Sequence, residues 1–160
     1  MAIYLEYEGV KGNVTADGFK DLIAVQTVDF GVSRGVSMVP GNLSNRETTR
    51  PTLSEISLTK IMDISASRLF KESVSGSSGK KVVIKFVSTG SDKLVEFMDY
   101  TLENCLVSGY EVSANAKGYA EETIHLSFSK MLVSYKDHGA TNKVGTLQRV
   151  GYDLITATPL

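Results

Sequence analysis

The apolar residues of this chain occur in short runs rich in β-branched and aromatic types, and the runs are separated by Gly, Ser, Asn and Asp. In the first run, residues 2–8, Ile3, Leu5 and Tyr7 alternate with a more polar set of positions. A period of two places alternate side chains on opposite faces of a strand. Runs of this kind, bounded by turn residues, predict a mainly β chain built from antiparallel strands.

Two of the later runs are unusually long. Residues 93–112 predict either one long bent strand or a hairpin that breaks near Glu103 and Asn104. Residues 119–135 predict a single strand, with His125, Ser127, Ser129 and Met131 on the face opposite Ile124, Leu126, Phe128 and Leu132. The other predicted strands cover residues 21–30, 53–61, 81–87 and 147–155.

One short helix interrupts the strands. From residue 65 to about residue 74, Ala66, Leu69 and Phe70 begin a stripe of small and apolar residues with a period of 3.6. Ser65 is the predicted N-cap, and Gly76 follows the last turn. A single helix of this length predicts a cover that packs its stripe on the β-sheet.

Composition restricts the function. The 160 residues have the size of one domain, predicted to cover 1–160, and a net charge of −1 indicates neither nucleic acid nor an anionic membrane as the main partner. No apolar run approaches the roughly 20 residues of a membrane helix. The start of the sequence has no basic and apolar signal pattern, so we expect a protein made in the cytoplasm, without membrane insertion.

Candidate reactive residues are few. His125 and His138 have no spacing typical of a metal site, and Cys105, the one cysteine, lies among apolar residues in a predicted strand. The glycines of residues 76–81 lack the spacing of a phosphate loop. We therefore predict no catalytic, cofactor-binding or metal-binding residues, and no enzyme.

The longest segment without periodicity is residues 31–50. A loop of this length in a small domain is usually functional. It carries Arg34, Arg46 and Arg50 against Glu47, so it is basic in a slightly acidic chain. The turn sequence at residues 40–42 predicts that this segment, called the arm below, projects from the β-sheet.

Taken in order, several segments resemble the Hcp family (haemolysin-coregulated protein) of bacterial type VI secretion systems. The start, Ile-Tyr-Leu-Glu-Tyr-Glu-Gly-Val-Lys-Gly, resembles a hydrophobic strand followed by G-x-K-G. The Leu-Thr-Lys-Ile-Met-Asp run before the helix resembles the family's strand-to-helix junction. The matching segments are residues 3–12, 30–33, 58–69, 75–76, 100–108, 122–128 and 151–153.

The resemblance implies an antiparallel β-barrel of two sheets with one short flanking α-helix and a long extended loop, and it implies a structural role. It implies hexameric rings that stack into a hollow tube, which a sheath expels from the cell with a spike and effectors, and secretion without a cleaved signal peptide. In the family the loop at the arm's position reaches the next ring, so we expect inter-ring contacts from Arg34, Arg46, Glu47 and Arg50. Two alternatives stay open: a phage-tail-tube-like protein of a related contractile particle, and a monomeric ligand-binding β-barrel.

Overall fold

The computed structural model describes residues 1–41, 49–90, 92–138 and 144–160. Within those ranges the chain is mainly β, as predicted, with one helix, α1 (Ala66–Ser75), which is too short and too polar to cross a membrane. The strands are β1 (Ala2–Tyr7), β2 (Ile23–Val25), β3 (Thr27–Asp29), β4 (Val32–Ser33), β5 (Thr52–Leu53), β6 (Ile56–Ile61), β7 (Lys80–Ser88), β8 (Val95–Ser113), β9 (Glu121–Ser127), β10 (Lys130–His138), β11 (Val144–Asp153) and β12 (Thr158–Pro159).

Two antiparallel sheets share the long strand β8. The large sheet has the order β12-β11-β10-β8-β7-β1-β2, and the small sheet has the order β3-β6-β9-β8. The sheets meet a second time where β2 passes into β3, because the Gln26 N–H between these strands donates to the Thr59 carbonyl at 2.8 Å. The two sheets therefore wrap one core, as a barrel of two sheets requires.

The core consists of the inward positions of both sheets. Along β6 and β9 burial alternates with a period of two, as the sequence pattern predicted for strands with one dry face. The core residues that are completely buried include Leu5, Ile23, Ile56, Leu58, Val82, Ile84, Leu102, Ile124 and Leu126.

The run at residues 93–112 forms one bent strand, so the first of the two predicted alternatives is confirmed. The first part of β8, up to Cys105, pairs with β7 and β10, and the part from Leu106 onward pairs with β9. Asn104 lies at the change of partners and has a positive φ of 53°. The strand bends at this residue and passes from one sheet to the other.

The single strand predicted for residues 119–135 is wrong. β9 ends at Ser127 and β10 begins at Lys130, and at the break the Ser129 N–H donates to the Glu103 carbonyl at 3.1 Å. At the break the chain passes from the small sheet to the large one. The set of alternate residues that faces the core changes there. Met131, predicted to face away from the core, is consequently buried.

Candidate functional surfaces

The base of the arm is ordered by main-chain pairing. Val32 and Ser33 of β4 pair with Leu53 and Thr52 of β5, and the Thr49 N–H donates to the Gly35 carbonyl at 2.9 Å. The segment predicted to lack regular structure therefore begins in a two-stranded ladder, and the second strand of that ladder, β5, follows directly after the segment.

The arm exposes both charge and apolar surface. Arg34 and Arg50 are exposed, whereas Arg46 and Glu47 lie outside the described residues. Met38 is 81% exposed, and its neighbour Val39 is also exposed. An exposed run of this kind is typical of a contact surface rather than of a lone folded domain.

The helix is anchored by one residue. Leu69 is completely buried and Ala66 is half-buried, as the predicted stripe requires. Phe70, however, is 54% exposed, and its ring meets the ring of Tyr110 edge-on at a centroid distance of 5.9 Å. Phe70 and Val74 therefore form an exposed apolar ridge on α1 instead of the buried contact that the pattern predicted.

The predicted capping of α1 by the Ser65 hydroxyl is also wrong. That hydroxyl donates to the Asp63 carboxylate, and Asp63 Oδ1 accepts the Ser65 N–H at 2.9 Å. A carboxylate that accepts backbone donors just before a helix satisfies groups that the helix itself leaves unpaired. Asp63 thus orders the helix start.

Asp63 belongs to a buried polar cluster that the sequence analysis missed. Lys60 and Glu122 face each other across the β6–β9 ladder, both completely buried, with a distance of 2.5 Å between Lys60 Nζ and Glu122 Oε1. Lys60 Nζ also lies 3.0 Å from Asp63 Oδ1. The Tyr110 hydroxyl donates to Glu122 Oε2.

The cluster fixes the β6–α1 junction. Its one cation, Lys60, pairs with two carboxylates, and loss of one partner from a buried ion pair typically costs about 3–5 kcal/mol. Burial first, and then the hydrogen bond and charge of Glu122, raise the pKa of Tyr110. Lys60, Asp63 and Ser65 lie in the strand-to-helix segment quoted above, so this motif has a structural role.

The glycines of two other quoted segments also have structural reasons. Gly9 has a positive φ of 80°, which favours glycine. A Cβ on Gly12 would lie 2.4 Å from the Leu22 carbonyl oxygen, and one on Gly151 would lie 2.5 Å from the Met131 carbonyl oxygen. Only glycine allows the backbone to approach so closely at the last two positions.

The candidate reactive residues do not come together. Cys105 is completely buried in the core, and burial raises the pKa of its thiol to about 12. His125 lies on the outer side of β9, and His138 ends β10. In the four described ranges, no group of three or more His, Cys, Asp or Glu side chains could hold a metal ion.

Comparisons with known proteins agree with this architecture. The family model described as "Type VI secretion system effector, Hcp" matches residues 4–135. A solved type six secretion system protein is 24% identical, covers 99% of both chains and superimposes with a TM-score of 0.92. Hcp1 from Salmonella typhimurium is 21% identical, with 99% of this chain and 98% of that chain covered and a TM-score of 0.77.

A type VI secretion system effector from Yersinia pestis is 15% identical, with 94% of this chain and 98% of that chain covered and a TM-score of 0.73. At these identities the structural likeness concerns the fold. No curated protein matches the sequence.

Proposed function

Because this chain belongs to the Hcp family of type VI secretion system proteins, we propose that it is a structural tube subunit without enzymatic activity. Its copies form hexameric rings, and the rings stack into a hollow tube. The observation that carries this proposal is the family match over residues 4–135, joined to a fold that is shared over the full length of a solved secretion system protein.

The proposal includes the route and the partners of the tube. The protein is made in the bacterial cytoplasm and reaches the extracellular space without a cleaved signal peptide or insertion in a membrane. The sheath, the spike and effector proteins are its partners, the tube carries the effectors, and nucleic acid is not a partner. The ridge of Phe70 and Val74 supports a role in protein–protein contact. It exposes apolar surface to water, and a partner that covered this surface would be stabilised by its burial.

Electron microscopy and sedimentation of the purified protein test the proposal. Six-fold rings and a hexamer are the expected results, and a monomer that binds a small apolar ligand would instead support the ligand-binding barrel. The tail-tube alternative also predicts rings. A secretion assay separates the two. Living cells should export a secretion-system tube protein in a sheath-dependent way, whereas they should not export the protein of a particle outside a secretion system.

The arm is the proposed contact between rings. Arg34 and Arg50 are exposed beside the β4–β5 ladder, and the proposal extends to Arg46 and Glu47 in the same arm. Contacts between exposed charges weaken as salt rises.

The arm is tested by reversing its charges. Arg34→Glu/Arg50→Glu should leave hexamers intact by sedimentation and reduce their stacking in micrographs and their secretion. Lys20→Glu/Lys117→Glu is the matched control, because both lysines are exposed outside the arm. Normal stacking of the arm variant would remove the arm from the ring-to-ring contact, and a monomer would place it in the contact within a ring.

A further inference from the structure

A β-bulge near the start of β8 changes the direction of one acidic side chain. The register between β7 and β8 shifts after Phe86, and Phe97 is the extra residue in β8. Phe97 and Met98 both pack against the core. Strict alternation from Asp99, which lies on the outer face of the large sheet, would point Glu96 towards the core. The bulge instead turns Glu96 to the same side as Asp99.

The bulge brings two carboxyl groups together. The Glu96 and Asp99 side chains are hydrogen-bonded to each other, and both are half-buried. They line a recess of about 30 Å³ together with Ser134 and Lys136 of β10. Two carboxylates only accept hydrogen bonds, so a hydrogen bond between these groups requires one proton. The Thr101 hydroxyl donates to Asp99 Oδ1 at 3.2 Å, which favours Asp99 as the acceptor and Glu96 as the carrier of the proton.

Charged groups from four neighbouring strands surround the pair, and they are Glu6 of β1, Lys85 of β7, Lys136 of β10 and Arg149 of β11. Lys85 Nζ lies 3.8 Å from Glu96 but only 3.3 Å from Glu6, so its charge is shared between two carboxylates. Arg149 Nε donates to the Ser134 hydroxyl at 3.2 Å, and Ser134 separates it from Asp99 in the cross-strand row. The pair is therefore only partly compensated by cations.

The surroundings favour the protonated form of Glu96. Burial raises the pKa of Glu96, the charge of Lys85 opposes this, and the charge and hydrogen bond of Asp99 raise the pKa further. The charge of Lys136 lowers it again in part. An unfolded glutamate titrates near about pH 4.3, so the unfolded chain loses this proton first as the pH rises. The stability that the proton contributes is present below about pH 4.3 and is lost as the pH rises through the raised value.

We propose that Glu96 and Asp99 form a pH-sensitive latch on the outer face of the large sheet, which fastens the start of β8 when one proton lies between them. When the proton passes to water, two carboxylates face each other at the bulge and repel. The bulge already interrupts the β7–β8 ladder there, so the start of β8 opens from β7 at little cost in main-chain hydrogen bonds. The latch does not depend on the proposed function.

Hydrogen exchange of the purified protein, measured by mass spectrometry, tests the latch. The quantity compared is the protection of the peptide covering residues 95–99 at pH 5 and at pH 8, corrected for the intrinsic exchange rate at each pH. Protection should be about tenfold higher at pH 5, which is the effect of one hydrogen bond to a charged group. Glu96→Gln should be equally protected at both pH values, because its amide donates to Asp99 without a titrating proton.

Glu111→Gln is the matched control, since it makes the same change at an exposed position of the same strand and should keep the pH response. If Glu96→Gln does not fold, Asp99→Asn replaces it and should weaken the response, because a neutral amide does not repel an ionised Glu96. Equal protection of the original protein at both pH values overturns the latch. A response that persists in Glu96→Gln also overturns it and assigns the titration to another group, such as His138 at the end of β10.

Discussion

At the scale of single residues, the hydroxyls of a buried and a half-buried tyrosine provide a comparison. Tyr7 is 3% exposed, and its hydroxyl has no hydrogen-bond partner among the described residues, whereas the Tyr110 hydroxyl donates to Glu122. Tyr7→Phe should leave the free energy of unfolding unchanged or raise it. Tyr110→Phe should lower it by about 1.5–3 kcal/mol, since it removes a hydrogen bond to a charged group. Urea denaturation checks both, and equal losses would contradict the assignment.

Cys105 should be inert in the folded protein. Its pKa of about 12 leaves the thiol protonated at pH 8, and the side chain is completely buried, so a thiol reagent should react only after unfolding. The unfolded thiol titrates near pH 8.5, so between about pH 8.5 and 12 the unfolded chain loses this proton first, and stability should fall as the pH rises. Rapid labelling of the native protein at pH 8 would contradict this, with labelling in urea as the control.

Residue-scale features were predictable only where the signal is local. The spacing of the helix stripe predicts the burial of Leu69, but Phe70 lies at the edge of the stripe, where the neighbouring element decides the exposure. Lys60 and Glu122 occupy inward positions of their strands. A charged residue at such a position is visible in the sequence of each strand and indicates that the residue has a buried partner. Their pairing joins residues 62 positions apart, and the register that brings them together is not readable from either strand.

At the scale of elements, β8 shows what strand length does and does not predict. A run too long for one regular strand indicates either a bend or a turn. The strands that pair with it decide between the two, and these are β7 and β10 before Asn104 and β9 after it. The break at Phe128 and Ser129 was missed for the same reason. Apolar alternation continues through these residues in the sequence, yet the chain changes sheets there.

The bend itself is testable. Asn104 has a φ of 53°, a region that costs a residue with a Cβ roughly 1–2 kcal/mol and that Asn and Gly tolerate better. Asn104→Ala should therefore lower the free energy of unfolding by about 1 kcal/mol or more, while Asn104→Gly should stay closer to the original protein. The urea midpoints of the two variants provide the measurement. An alanine variant as stable as the glycine variant would show that the bend does not depend on backbone conformation.

At the scale of the whole molecule, exposed apolar surface is unevenly distributed. Large exposed apolar side chains lie on the α1 side, where Val74 is prominent, and on β11, where Val150 is 61% exposed. On the outer face of β7, Val83 is half-buried and adjoins Glu6 across the ladder, among ion pairs. Because the proposed rings need two different surfaces that meet, we propose that the first two regions are contacts within a ring and that the third stays in water.

Three identical substitutions test this division. Val74→Asn and Val150→Asn should each weaken ring formation by about tenfold, since burying a valine at a contact contributes on the order of 1.5 kcal/mol, while the free energy of unfolding of the dissociated chain changes little. Val83→Asn makes the same chemical change on the β7 face and should leave the rings as they are. Sedimentation over a range of protein concentrations gives the comparison. Rings that tolerate the first two changes but not the third would reverse the assignment, because the polar face of the large sheet would then be the contact between subunits.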